Sequence, residues 1–164
     1  MYTEETINKV LKNKRRLEKK LKVRLLVENF EIQVEGKEVN VYEAEKIIKA
    51  LESGFSFSTS LLLLEPDYLF EEIPIKSISS KNITRIRARI IGQQGRTLKV
   101  VSELSNCHLS LHENKVSIIG LADNIKIAIN AIKSLIQGSK QSNVYSYLEK
   151  QSARYLPEDL GLKE

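Results

Sequence analysis

Two glycines, three positions apart and set between two short amphipathic segments, constrain this chain more than any other feature. They sit in Ile91-Gly92-Gln93-Gln94-Gly95-Arg96, which has the form I-G-x-x-G-R. Upstream, Ile83, Ile86, Ile90 and Ile91 fall at i, i+3, i+7 and i+8, one face of a helix. Downstream, Leu98, Val101 and Leu104 keep a helical period over 96–105. Residues 84–90 also alternate as a strand would, and the glycines that follow decide for a helix over 82–91. Glycine lets the main chain turn tightly and approach another group with no Cβ in the way. The chain must therefore build a helix, a tight corner and a second helix.

The segments around that corner follow a recognisable order. A strand is expected over 68–75, then the two helices, then strands at 107–111 and 115–119 joined by a turn at Glu113-Asn114. A longer helix over 122–137 buries Ile125, Ile129, Ile132 and Ile136, and a last helix is expected over 144–155 before a polar tail. Strand, helix, glycine loop, helix, strand, strand, helix is the order of a type I KH domain. The first half repeats it without an opening strand: a helix over 6–21, strands at 22–28 and 30–34, and a helix over 41–53 stopped by Gly54. A short helix over 58–64 follows. The expected fold is α+β, two tandem KH-like units of type I, each a three-stranded antiparallel sheet packed on helices. The division expected is 1–66 for a degenerate first unit with a leucine-rich connector, 67–139 for the KH unit with the glycine loop, and 140–164 for a C-terminal helix and polar tail.

Charge points to an anionic partner. Lys and Arg number 26 against 21 Asp and Glu, for a formal charge of +5 and a pI near 9.2. The net value hides a pattern: residues 1–24 carry +6, residues 25–76 carry −7, and residues 77–99 carry +6 with no acid at all. A KH loop clamps the backbone of about four single-stranded nucleotides. The helix opening at Arg96 turns its free N–H groups and positive dipole end toward such phosphates. Gly92, Gln93, Gln94, Gly95 and Arg96 are thus the expected clamp, with Arg85, Arg87, Arg89 and Lys99 supplying field and side contacts. Ile86, Ile90 and Leu109 are expected to line the groove for the bases. At the matching place in the first half, Lys12, Asn13, Lys14, Arg15 and Arg16 replace the glycines. Close phosphate approach is lost there while charge remains, so Lys12, Lys14, Arg15 and Arg16 are a secondary RNA contact at most.

Three stretches resemble a known family. Residues 50–56 (ALESGFS) continuing to residues 61–68 (LLLLEPDY) are similar to the inter-domain segment of the archaeal two-KH-domain RNA-processing proteins. These are relatives of the eukaryotic small-subunit assembly factor called "partner of Nob". Residues 89–97 (RIIGQQGRT) resemble that family's second-domain loop, and residues 143–149 (NVYSYLE) its C-terminal helix. Ala88-Arg89 stands where the family has Gly-Arg, and Ser58–Ser60 where it has a charged helix start. The resemblance implies a factor that binds the 3′ region of small-subunit ribosomal RNA during maturation. It also implies partnership with a Nob-type endonuclease and with the α subunit of initiation factor two.

Other classes find little support. His108 and His112 share a strand face with Ser110, but no HExxH or cysteine cluster supplies further zinc ligands, so they read as exposed strand histidines. Cys107 is the single cysteine, which excludes an intrachain disulfide, and it reads as a small core residue. No catalytic residue, metal or cofactor is expected. The longest apolar run, Leu61–Leu64, falls far short of the roughly 20 residues of a membrane span. The acidic start lacks the order of a secretory signal, and a cytoplasmic protein is expected. The alternative function is a protein–protein adaptor with a KH fold, whose acidic stretch docks a basic partner.

Overall fold

A computed structural model describes residues 1–154; the polar tail expected after the last helix lies outside the described residues. Two compact units divide the chain between Phe70 and Glu71.

The first unit opens with helix α1 (Glu4–Lys12), capped by Thr3, whose Oγ1 accepts from the Thr6 N–H at 3.2 Å. Its apolar face buries Ile7 and Val10. The single helix expected over 6–21 is broken at Asn13, and α2 (Lys14–Leu21) follows. Asn13 takes φ −110° and ψ 10°, and its side-chain amide donates to the Lys9 carbonyl at 2.8 Å. A short polar side chain that bonds its own backbone competes with the helix, and here it ends one. Strands β1 (Arg24–Glu28) and β2 (Glu31–Glu35) form an antiparallel hairpin. Asn29 and Phe30 turn it with φ of 52° and 61°, the left-handed pair that suits the twist of a two-residue hairpin. Helix α3 (Glu38–Glu52) buries Ala44, Ile47, Ile48 and Leu51. The helix expected over 58–64 is α4 (Phe57–Ser60) tightening into a 3-10 turn over Leu61–Leu64. The Arg16 guanidinium lies over the Phe57 ring, 5.1 Å from its centroid.

Strand β3 (Tyr68–Pro74) leads across the division into the second unit, which goes on with α5 (Ile83–Ile91), α6 (Arg96–Ser105), β4 (His108–His112), β5 (Lys115–Leu121), α7 (Ala122–Gln137) and α8 (Gln141–Arg154). The sheet order is β3-β5-β4, with β4 antiparallel to β5. Its core joins Ile73 and Ile75 at the end of β3 to Ile86 and Ile90 of α5, Val101 of α6, Val116 and Ile118 of β5, and Ile132 and Leu135 of α7. Fully burying each such chain contributes about 1.5–3 kcal/mol. Helix α8 adds Val144 and Leu148 and packs on α6 and α7.

The central strand is packed closely where it meets the turn after α6. Gly120 is buried, and a Cβ there would lie 2.7 Å from the Cys107 sulfur. Burial pushes the Cys107 thiol up to about 11, partly opposed by hydrogen bonding with the Ser105 side chain. Replacing Gly120 by Ala should destabilise the second unit by about 1–3 kcal/mol. The Gly120→Ala/Cys107→Ala double variant should recover part of that loss, measured by denaturant unfolding. In the wild type the thiol should stay unreactive to a thiol reagent at pH 8 until denaturant is added. Because the folded thiol holds its proton to higher pH than the unfolded one, stability should fall as pH rises past the ordinary thiol range toward 11.

Candidate nucleic-acid interface

Helix α5 begins at Asn82, whose Oδ1 accepts from the Arg85 N–H at 3.1 Å, and it ends at Gly92. Gly92 has φ 75° and ψ 177°, a conformation open to glycine alone. A Cβ there would lie 2.1 Å from the Thr97 hydroxyl oxygen and 2.7 Å from the Thr97 nitrogen, so the loop folds directly onto the first turn of α6. Gln94 and Gly95 both adopt left-handed conformations, with φ of 55° and 75°, and the Gly95 N–H donates to the Gly92 carbonyl at 3.3 Å.

The two glycines have different reasons. Around a Cβ built on Gly95 nothing comes within 4 Å, so that side of the loop faces open space. Gly92 is required by its close approach to Thr97 and Gly95 by its left-handed turn, and the Cβ side of Gly95 is open. Helix α6 starts at Gly95 with no side chain capping its first turn. Its ten residues end in open N–H groups beside an accessible glycine, the arrangement that receives an anion.

Charge around the loop has one sign. Arg85, Arg96 and Lys99 are exposed, Arg87 is half-buried, and no acid occurs over 77–99. An open groove of about 640 Å³ is lined by Arg85, Ala88, Arg89, Gly92, Gln93, Arg96, Thr97, Gln141 and Tyr145. A second groove of about 530 Å³ runs along the start of α5, past Lys81, Arg85 and Ile86.

Not every expected residue reaches this surface. Ile90 is fully buried, and its side chain cannot meet a base; this corrects its place in the groove. The reason is the stripe itself: the isoleucines of α5 at i and i+4 turn into the core. Ile86 keeps 7% exposure and Leu109 is partly buried against the core, so both offer only an edge. Arg89 lines the groove with its guanidinium already bonded within the protein. Its guanidinium donates to the Leu135 carbonyl at 3.0 Å and to the Ser139 carbonyl, tying down the C-terminal end of α7. In the first unit, Lys12, Arg15 and Arg16 are exposed and Lys14 half-buried, around a break of one residue with no glycine.

The sequence reading missed the part played by α8. The Gln141 amide donates to Thr97 Oγ1 at 2.9 Å, the same hydroxyl that Gly92 folds against, and Tyr145 forms one wall of the groove. The stretch over 143–149 drew attention, yet nothing in its period says which loop it touches.

A family model for the second KH domain of PNO1, described as the eukaryotic-type KH domain (KH-domain type I), matches residues 69–153. The chain belongs to the PNO1/Dim2 family of KH proteins. Curated relatives include a KH domain-containing protein of Methanocaldococcus jannaschii, 29% identical over 113 residues, covering 68% of this chain and 50% of the relative. The pre-rRNA-processing protein pno1 of Schizosaccharomyces pombe is 33% identical over 111 residues, covering 65% of this chain and 46% of its own. The chain thus spans about half the length of the curated relatives it matches. Among solved structures, Dim2p of Pyrococcus horikoshii superposes with TM-score 0.81 at 29% identity, covering 91% of this chain and 95% of that one. A chain from the same organism's a/eIF2α–aDim2p–rRNA complex gives TM-score 0.83 at 28% identity, covering 93% and 92%.

The KH loop permits a clean comparison of its two glycines. Gly95→Ala should cost about 1–2 kcal/mol, the strain of a left-handed alanine. Gly92→Ala adds the clash with Thr97 to a similar strain and should cost clearly more, read as a larger drop in unfolding midpoint. Arg89→Ala should cost about 1–2 kcal/mol through the freed carbonyls of α7, a loss that Arg85→Ala should not show.

Proposed function

We propose that this protein is a non-catalytic, single-stranded RNA-binding factor of small-subunit ribosomal RNA maturation, holding RNA on the KH loop of its second unit. The observation that carries the reading is the start of α6: uncapped N–H groups behind a left-handed Gly95 with open space beside it, in a field of arginines without an acid. Phosphates would lie against Gly95, Gln93, Gln94 and Arg96, while Arg85, Arg87 and Lys99 supply long-range attraction. The bases would run toward β4, where Leu109 offers an apolar edge. Relatives named for pre-rRNA processing and a similar chain in a complex with rRNA support the choice of ligand.

The finer parts of the reading are these. The RNA is the 3′ region of the small-subunit rRNA, the partners are a Nob-type endonuclease and the α subunit of initiation factor two, and the setting is the cytoplasm. The appearance of the α subunit beside a similar chain supports that partner. The first unit is a KH relic. It keeps the order helix, helix, strand, strand, helix, with Asn13 where the loop would be, and Lys12, Lys14, Arg15 and Arg16 give RNA a loose electrostatic contact.

The test is affinity for a single-stranded fragment of the rRNA 3′ end. Gln93→Asp/Gln94→Asp places two negative charges beside the phosphates and should abolish binding, with circular dichroism showing an intact fold. For a clamp of about four nucleotides, the slope of log affinity against log salt should lie at roughly −2 to −3, and Arg96→Ala should reduce it by about 0.7. Equal binding by the double variant and the wild type would move the site to the basic helices of the first unit. No binding by either at low salt would leave the adaptor reading in its place.

A further inference from the structure

The groove at the start of α5 has walls drawn from two stretches without a carboxylate. Residues 77–99 carry no acid, and neither do residues 124–148, which hold most of α7 and the first turns of α8. Lys81, Asn82 and Arg85 stand on one wall, and Gln137 and Gly138 at the end of α7 stand on the other. Lys133 lies one turn before Gln137, and both are exposed. No ion pair among the described residues involves Lys81, Arg85 or Lys133. Arg89 gives its guanidinium to two carbonyls, which are neutral, so its charge also stands uncancelled.

This groove continues into the one at the glycine loop. Arg85 and Arg89 line both. Between Arg85 and Gly92 the outer surface of α5 carries Ala88, which is exposed and too small to block the way. The nine residues of α5 cover about 13 Å of helix, against a Debye length of about 8 Å at physiological salt. Charges at the far end of the groove therefore act on a ligand there, and only weakly on one held at the loop.

Rim and floor together select the occupant. The rim is cationic, and the floor is apolar: Ile78 is half-buried, while Ile86 and Ile136 show only their edges. An acidic protein segment would match such a rim only where its own sequence placed carboxylates. A single-stranded nucleic acid brings a negative charge with every nucleotide and a flat base beside it, and it can run on from the loop in one chain. We propose that the groove between the start of α5 and the end of α7 is a second RNA track, holding nucleotides that continue the strand clamped at the glycine loop. Phosphates follow Lys81 and Arg85, bases rest on the isoleucine edges, and the Gln137 amide offers a donor and an acceptor to a base edge. The inference rests on the reading of the loop as an RNA site and lengthens that site beyond four nucleotides.

Titration of the full chain with RNAs of different length, followed through backbone amide chemical shifts, tests it. The probes are the tightest-binding four nucleotides of the rRNA 3′ fragment, and the same four extended by four more on the 5′ side or on the 3′ side. One extended RNA should bind at least tenfold tighter than the tetranucleotide and shift the Gln137 and Gly138 amides, which the tetranucleotide leaves in place. Two further phosphate contacts should steepen its salt slope by about 1.4. Lys81→Glu/Gln137→Glu should remove the tenfold gain and leave tetranucleotide affinity within twofold. If circular dichroism shows that pair unfolded, Lys81→Gln carries the test, with an expected loss of about threefold for the extended RNA alone. The track is overturned if neither extension tightens binding, or if the gain survives in the folded variant. It is also overturned if a capped glutamate decamer shifts the Gln137 and Gly138 amides and the extended RNAs do not, which assigns the groove to an acidic protein segment. A tetranucleotide that binds, and is lost in Gln93→Asp/Gln94→Asp, keeps the loop reading even where the track fails; no binding by any RNA removes both.

Discussion

The close fold of Gly92 onto Thr97 is the contact on which the glycine corner of the second unit depends. With a Cβ excluded by 2.1 Å from the Thr97 hydroxyl, α5 and α6 can meet at a corner of four residues. The same hydroxyl accepts from Gln141, so the start of α8 is fastened to the corner from the other side. Arg89, one turn before the corner, fastens α7 by its last carbonyls. A backbone loop alone would be a soft anion site. Braced on three helices, it presents its N–H groups in one geometry, and preorganisation lowers the ordering cost of binding.

The helix–helix corners of the two units differ by a few residues. Between α5 and α6 two glycines and two glutamines make an approachable loop; between α1 and α2 a single asparagine bonds back to Lys9 and closes the corner. The first unit's corner thus has no glycine and carries charge, which acts at longer range and yields to salt. Its sheet differs in the same manner. Ile73 and Ile75 complete the second unit's core from β3, while the first unit's sheet among the described residues is the β1–β2 hairpin.

Much of this was legible from residue order. The α5 stripe, the turn at Glu113-Asn114, the α7 helix over 122–137 and the stop after residue 53 follow from periods of 3.6 and 2 and from punctuating residues. The break at Asn13 was not legible, because Ile7, Val10, Leu17 and Leu21 keep close enough to one face for an unbroken helix. Nor was the tightening over Leu61–Leu64, where four leucines carry no sign of the hydrogen-bond pattern they adopt. Among site residues, Gly92, Gly95 and Arg96 stand where their motif places them. Ile90 does not serve as expected, since a helical stripe does not announce which of its members the core will take completely.

Residue types and spacing determined the glycine corner, the basic stretch without acids and the doubled order of helices and strands. Those are local properties, set by φ freedom, side-chain period and charge count, and they need no knowledge of what lies across the fold. The tertiary structure alone decided which arginine faces solvent and which binds the end of α7, and that a C-terminal helix supplies Gln141 and Tyr145 to the loop. Each of these depends on a partner far away in sequence, Arg89 on Leu135 and Thr97 on Gln141, and packing rather than periodicity brings such pairs together.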